Sequence, residues 1–187
     1  SMSRFGYTSL GFGSGASAAA AGFSNVYSMD FLGTDEYIAV GDLDDMEGIA
    51  KITISFWMNI DVDGMVAWAG STGADGLFFQ SYSGSLYFGV GGGQDYVTLG
   101  SGTPSLSAWH HVCCVYDATT PSPRAVVYID SVSTSITSRE LPTPNNDSAA
   151  GTSFTIGRYS GGAYWNGKID ELAMWTAALT SGQATNI

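Results

Sequence analysis

Basic residues are scarce in this chain. Six Lys and Arg stand against 17 Asp and Glu among 187 residues, a formal net charge of −11. Phosphate backbones and anionic lipid surfaces are gripped by clustered Lys and Arg, so nucleic acid and anionic membranes are poor partners for this charge balance. Cations, neutral sugars and basic protein patches remain compatible with it. Cysteine is nearly absent, and the two present, Cys113 and Cys114, are adjacent. Strand neighbours point to opposite faces, where a mutual disulfide would be badly strained. They read as reduced packing residues, which excludes a disulfide scaffold. No apolar run approaches the roughly 20 residues of a membrane helix. No basic segment followed by an apolar one marks a secretion signal in these residues.

What the chain does have is 25 glycines and 13% aromatic residues. Aromatic content of this order argues for a folded chain, and the mixture of Gly, Ser, Thr, Tyr, Val and Trp favours strands and turns. Residues 1–26 differ from the rest: Ser, Gly and Ala fill 16 of the 26 positions. They are expected to form a flexible arm or linker. Residues 27–187 are expected to form one domain of ordinary size.

From Tyr27 onward alternation with period two dominates. Ile52, Ile54, Phe56, Met58 and Ile60 fall on one strand face, and Thr53, Ser55, Trp57 and Asn59 on the other. Similar segments recur near residues 27–31, 36–40, 65–69, 77–82, 86–90, 96–99, 109–117, 125–130, 153–157 and 168–175. Val126, Val127, Tyr128 and Ile129 are apolar on both faces, which predicts a central strand. Helix is limited to a short turn in 42–48 and a C-terminal helix announced by Thr180 and Gln183, the spacing of a capping box. The chain ends inside that helix, as expected of a module within a longer protein. The pattern predicts an all-β fold: a two-sheet antiparallel β-sandwich.

Six segments occur in a telling order: Met29–Gly41 (MDFLGTDEYIAVG), Ile52–Asn59 (ITISFWMN), Trp109–Asp117 (WHHVCCVYD), Val127–Asp130 (VYID), Phe154–Gly157 (FTIG) and Trp165–Trp175 (WNGKIDELAMW). Together they resemble the laminin-G-like, concanavalin A-like jelly-roll family over residues 25–187. The resemblance implies two curved antiparallel sheets and admits lectins, pentraxin-like proteins, adhesion modules and some glycoside hydrolases, so it does not by itself give a function. Asp130-Ser131 stands where the family usually has Asp-Gly, so this turn is a point of departure.

An enzyme is not expected. A retaining glycosidase needs two carboxylates about 5–5.5 Å apart. The Glu-x-Asp-x-(x)-Glu strand of the hydrolases that share the fold has no match here; Asp42-Leu-Asp-Asp-Met-Glu47 reads as a solvated acidic loop. His110 and His111 are expected on opposite strand faces, one packed or hydrogen-bonded and one half-exposed. Asp61-Val-Asp63-Gly64 reads as a hairpin turn.

The resemblance also implies a structural calcium ion, with Asp170 as one ligand, backbone oxygen near Gly33 and Asp35 as a second carboxylate; the alternative is that Asp170 pairs with Lys168 or caps a turn. For ligand binding, an aromatic face with a few convergent polar groups is the chemistry that suits sugars. Tyr159, Tyr164, Trp165 and Asn166 form the first candidate cluster, although the aromatic before Asn-Gly often packs inward in the family. Asp95 and Tyr96 form a second. The expectation is a non-catalytic, lectin-like module at a cell or particle surface, with a glycan or surface protein as partner. The alternative is a structural or adhesion domain of a larger assembly, such as a phage virion, tethered by its arm.

Overall fold

The computed structural model describes residues 27–46, 48–62, 64–69, 77–90, 96–99, 104–121, 124–138, 153–159 and 162–187. Thirteen strands are found among them: β1 (Met29–Leu32), β2 (Ile38–Asp42), β3 (Lys51–Val62), β4 (Met65–Ala69), β5 (Leu77–Tyr82), β6 (Ser85–Gly89), β7 (Tyr96–Leu99), β8 (Trp109–Asp117), β9 (Ala125–Ile129), β10 (Val132–Ser133), β11 (Ile136–Ser138), β12 (Ser153–Ile156) and β13 (Asn166–Trp175). A 3-10 turn covers Asp44–Met46, and helix α1 covers Ser181–Ala184. The strands form a six-stranded sheet, β1-β13-β3-β8-β9-β10, and a seven-stranded sheet, β11-β7-β6-β5-β4-β12-β2. Every pairing is antiparallel. This is the β-sandwich that the alternation predicted.

The core lies between the sheets and is built from the alternate residues of each strand. Ile52, Ile54, Phe56, Met58 and Ile60 are all buried there, facing Leu77, Phe79, Leu86 and Phe88 of the second sheet. Phe56 and Phe79 meet edge to face across the gap, with ring centroids 4.9 Å apart, a geometry favoured by the ring quadrupoles. The cysteines split as expected. Cys114 joins this core and Cys113 a second cluster on the outer face of the six-stranded sheet. Both are free thiols; burial pushes Cys113 up to about 11 and Cys114 well above its ordinary value, so neither is a ready nucleophile.

That second cluster exists because the chain end folds back over the sheet. Ala178, Leu179 and Ala184 pack on Cys113, Val115 and Tyr128. The Thr53 hydroxyl donates to the Ala177 carbonyl at 2.7 Å and accepts from the Leu179 N–H at 3.2 Å. Thr180 and Gln183 close the predicted capping box.

Three expectations need correction. Strand β9 is not central: only the two-residue β10 separates it from the sheet edge. The apolar Tyr128 on its outer face is covered by the C-terminal segment rather than by a third layer, and Val126 stays 41% exposed. Asp61–Gly64 is not a hairpin, because β3 and β4 lie in different sheets. Finally, Asp130 and Ser131 hold φ of 51° and 65°, the left-handed pair of a type I′ turn between β9 and β10. The turn survives without its usual glycine.

Candidate functional site

Alternation on β3 places Trp57 on the outer face of the six-stranded sheet, opposite the core residues. Register then supplies its neighbours. Trp57 pairs with Asp170 on β13 and with His111 on β8; one step along, Asn59 pairs with Lys168 and with Trp109. Segments distant in sequence thereby form two adjacent rows, Asp170–Trp57–His111 and Lys168–Asn59–Trp109. Tyr27 and Ser28, leading into β1, close one side. The result is an open groove of about 560 Å³ lined by Tyr27, Ser28, Trp57, Trp109, Lys168, Asp170 and Glu171. Trp109 is 41% exposed and Tyr27 84% exposed, while Trp57 is half-buried.

The rim is shaped by an irregularity in β13. Between Asp170 and Ala173 the register with β3 shifts, and Glu171 takes a φ of 48°. An L-residue with a side chain is disfavoured there by about 1–2 kcal/mol, and bulges of this kind recur beside functional sites. The Asp170 carboxylate accepts the Glu171 N–H at 2.8 Å and holds the bulge in place. Both acidic residues thereby come to line the groove.

The floor is anchored by a buried pair. His111 is 4% exposed and its Nε2 lies 2.8 Å from the Ser55 hydroxyl. Its ring packs against Trp57, centroids 5.2 Å apart. Burial lowers the His111 pKa below 6.5, against the opposing pull of the Asp130 and Glu171 charges. His110, half-buried, turns the other way: its Nδ1 meets the Asp130 carboxylate at 2.7 Å, while the second oxygen of Asp130 accepts the His111 N–H at 2.9 Å. Desolvation alone would raise the Asp130 pKa, but these bonds and the histidine charges lower it overall. The one-packed, one-half-exposed expectation for the histidines holds.

The residues singled out from sequence fall in several places. Asp170 lies in the groove, beside aromatic side chains rather than in a metal cage. Gly33 and Asp35 sit at the far end of the β1–β13 pairing. Gly33 packs against Asn166, and four residues of extended strand from Asn166 to Asp170 span about 13 Å. Asp35 is exposed and accepts the Thr34 hydroxyl at 3.2 Å. The turn containing both is organised by Glu36, whose carboxylate accepts from the Leu32, Thr34 and Asp35 N–H groups. The Asp170–Asp35–Gly33 set therefore does not fit one calcium ion. Among the described residues no group of three or more His, Cys, Asp or Glu side chains could hold a metal.

Trp165 also requires correction as a ligand platform. It is 0% exposed within the core cluster, because strand alternation turns it inward between Tyr164 and Asn166. Tyr159 packs with Tyr87 against Phe78 on the seven-stranded sheet. Tyr164 bridges back to Arg158. Asn166 opens β13 in the other sheet. The cluster is thus divided between sheets. Asp95 lies outside the described residues, and of Tyr96 only the backbone in β7 is described.

Trp57, Trp109, Tyr27, Lys168 and Glu171 were not foreseen as site residues. The one signal was Trp57 among polar residues on the outer face of β3.

Residues 32–185 match the family model of the concanavalin A-like lectin/glucanases superfamily. The chain belongs to this superfamily. No curated protein sequence matches it. Solved structures of the same fold include a heptameric, SAP-like pentraxin from Limulus polyphemus, with a TM-score of 0.59 and 18% identity over 83% of this chain and 78% of that one. Domain 4 of AbnA, an extracellular arabinanase of Geobacillus stearothermophilus solved with arabinotriose, gives a TM-score of 0.58 and 15% identity over 83% and 85%. A putative carbohydrate binding protein of Bacteroides ovatus gives 0.63 and 18% over 84% and 45%. At these identities the likeness is one of fold. Among the described residues no helix is long and apolar enough to cross a membrane.

Proposed function

We propose that this chain is a non-catalytic, lectin-like module that binds saccharides in the groove on the outer face of its six-stranded sheet, at a cell or particle surface. The observation that carries this reading is the convergence of Trp57, Trp109 and Tyr27 with Asp170, Glu171 and Lys168 around one open groove. Sugar rings present flat C–H patches that stack on aromatic faces, and their hydroxyls need a few fixed donors and acceptors. Apart from Tyr27, which leads into β1, these side chains stand on strands rather than on loops, which favours precise placement.

The test is a broad glycan-array screen of the chain and of Trp109→Ala, each with calcium and with EDTA. Binding by the parent, lost in the variant and indifferent to EDTA, supports the reading. Binding unchanged in Trp109→Ala removes the groove as the site.

A second reading rests on a separate surface. Among the described residues, strand β2 is the edge of the seven-stranded sheet and pairs only with β12. Ile38 and Val40 within it and Tyr37 just before it are 37%, 47% and 41% exposed. Open apolar edges invite strand addition by another chain, which would suit an adhesion or structural domain. Concentration-dependent association, abolished by Ile38→Lys, is the result this reading expects.

A further inference from the structure

We propose that the saccharide held in this groove carries a free amine, so that its preferred ligand class is an oligosaccharide of unacetylated hexosamine. The inference rests on the saccharide reading above and names the chemistry that the groove selects.

The charges decide it. Asp170 and Glu171 line the groove with one cation, Lys168. Asp30 faces Lys168 across the β1–β13 pairing, where opposite charges attract one another. The groove's lining residues carry two negative charges, Asp170 and Glu171, against one positive, Lys168. The chain as a whole carries −11. An acidic sugar brings a carboxylate into this field and is repelled. A neutral sugar is tolerated. A protonated amino sugar is drawn in.

The local geometry adds to the field. An ammonium group has three N–H donors and no acceptor, which suits two adjacent carboxylates. A cation beside Trp and Tyr rings is further attracted by their negative faces, and Trp57, Trp109 and Tyr27 supply three such rings around the same groove. N-acetylation removes the charge and adds bulk, so the same sugar backbone loses both contributions.

The experiment is calorimetric titration of the full chain with four tetrasaccharides: glucosamine, N-acetylglucosamine, glucose and galacturonic acid, all β- or α-linked homopolymers of one length. The pH is set where the amine is protonated, at low and at moderate salt. The glucosamine oligomer is expected to bind at least about tenfold more tightly than its N-acetylated counterpart, the scale of one charge-assisted hydrogen bond. The preference should shrink with salt. It should collapse to about equality in Asp170→Asn/Glu171→Gln, whose melting temperature serves as the check on folding. Equal binding of amine-bearing and neutral oligomers overturns the inference and leaves saccharide binding standing. Tightest binding of the acidic oligomer also overturns it. No binding by any of the four, together with an empty glycan array, overturns both readings.

Discussion

The Trp57 indole packs on the His111 imidazole, ring centroids 5.2 Å apart and planes inclined by 49°. The exposed groove and the buried Ser55–His111 pair therefore share a wall. Whatever holds the imidazole in place also sets the position of the indole that a ligand would meet.

Trp109 can be removed without touching that wall. It is 41% exposed and lies at the first position of β8. Trp109→Ala is expected to weaken saccharide binding by about tenfold or more, as loss of an aromatic anchor does. Its melting temperature should remain near that of the parent. Calorimetry and a thermal scan on the same samples check both.

His111 predicts how stability depends on pH. Burial favours its neutral form and depresses its folded pKa below 6.5. The unfolded chain therefore binds more protons in the window just below that value, and stability rises with pH there. The contribution is complete above about pH 6.5 and is lost as pH falls toward the folded pKa. Urea midpoints should drop between pH 6.5 and pH 5. In His111→Gln, which cannot titrate, this step should vanish, leaving a lower but flat midpoint. A step of the same size in the variant would assign the effect to other groups. Asp130 behaves in the same sense at lower pH: its depressed pKa gives stability that is present above about 3.8 and lost below it.

Gly167 and Gly162 make a controlled pair. Both hold positive φ, 138° and 92°. A Cβ on Gly167 collides with the Asn59 carbonyl oxygen of β3, whereas one on Gly162 meets nothing within 4 Å. Gly167→Ala should cost about 3 kcal/mol or more, combining backbone strain with a steric clash against a central strand. Gly162→Ala should cost about 1 kcal/mol, the strain alone. Chemical denaturation of the two variants measures the difference.

Thr53 ties the chain end to the sheet through two hydrogen bonds. Thr53→Val keeps the shape and removes both, leaving the Ala177 carbonyl and the Leu179 N–H without that partner. A loss of about 1–3 kcal/mol is expected. Hydrogen exchange should rise first at residues 176–187 and over the Cys113–Tyr128 cluster beneath them.

The fold was legible because burial writes itself into alternation. Five residues of β3, from Ile52 to Ile60, point inward in the order their spacing announces, and the Thr180–Gln183 capping box formed as read. Strands β10 and β11, with two and three residues, are too short to show any period. The apolar outer face of β9 reflects a C-terminal cover that alternation cannot reveal. The groove was hidden for a different reason. Trp57, Trp109 and Asp170 are separated by dozens of residues and become neighbours only through the register of β13, β3 and β8. The aromatic stretch around Trp165 looks like a site because its residues are adjacent in sequence, yet alternation buries Trp165 while Tyr159, just after β12, packs on the seven-stranded sheet.

The most direct test of the groove uses the chain's five tryptophans as reporters. Their indole N–H signals are followed by NMR while the chain is titrated with the best oligosaccharide from the array. The account predicts saturable shifts of the Trp57 and Trp109 signals, with the buried Trp165 signal unmoved. Saturable binding that leaves the Trp57 and Trp109 signals in place would contradict it.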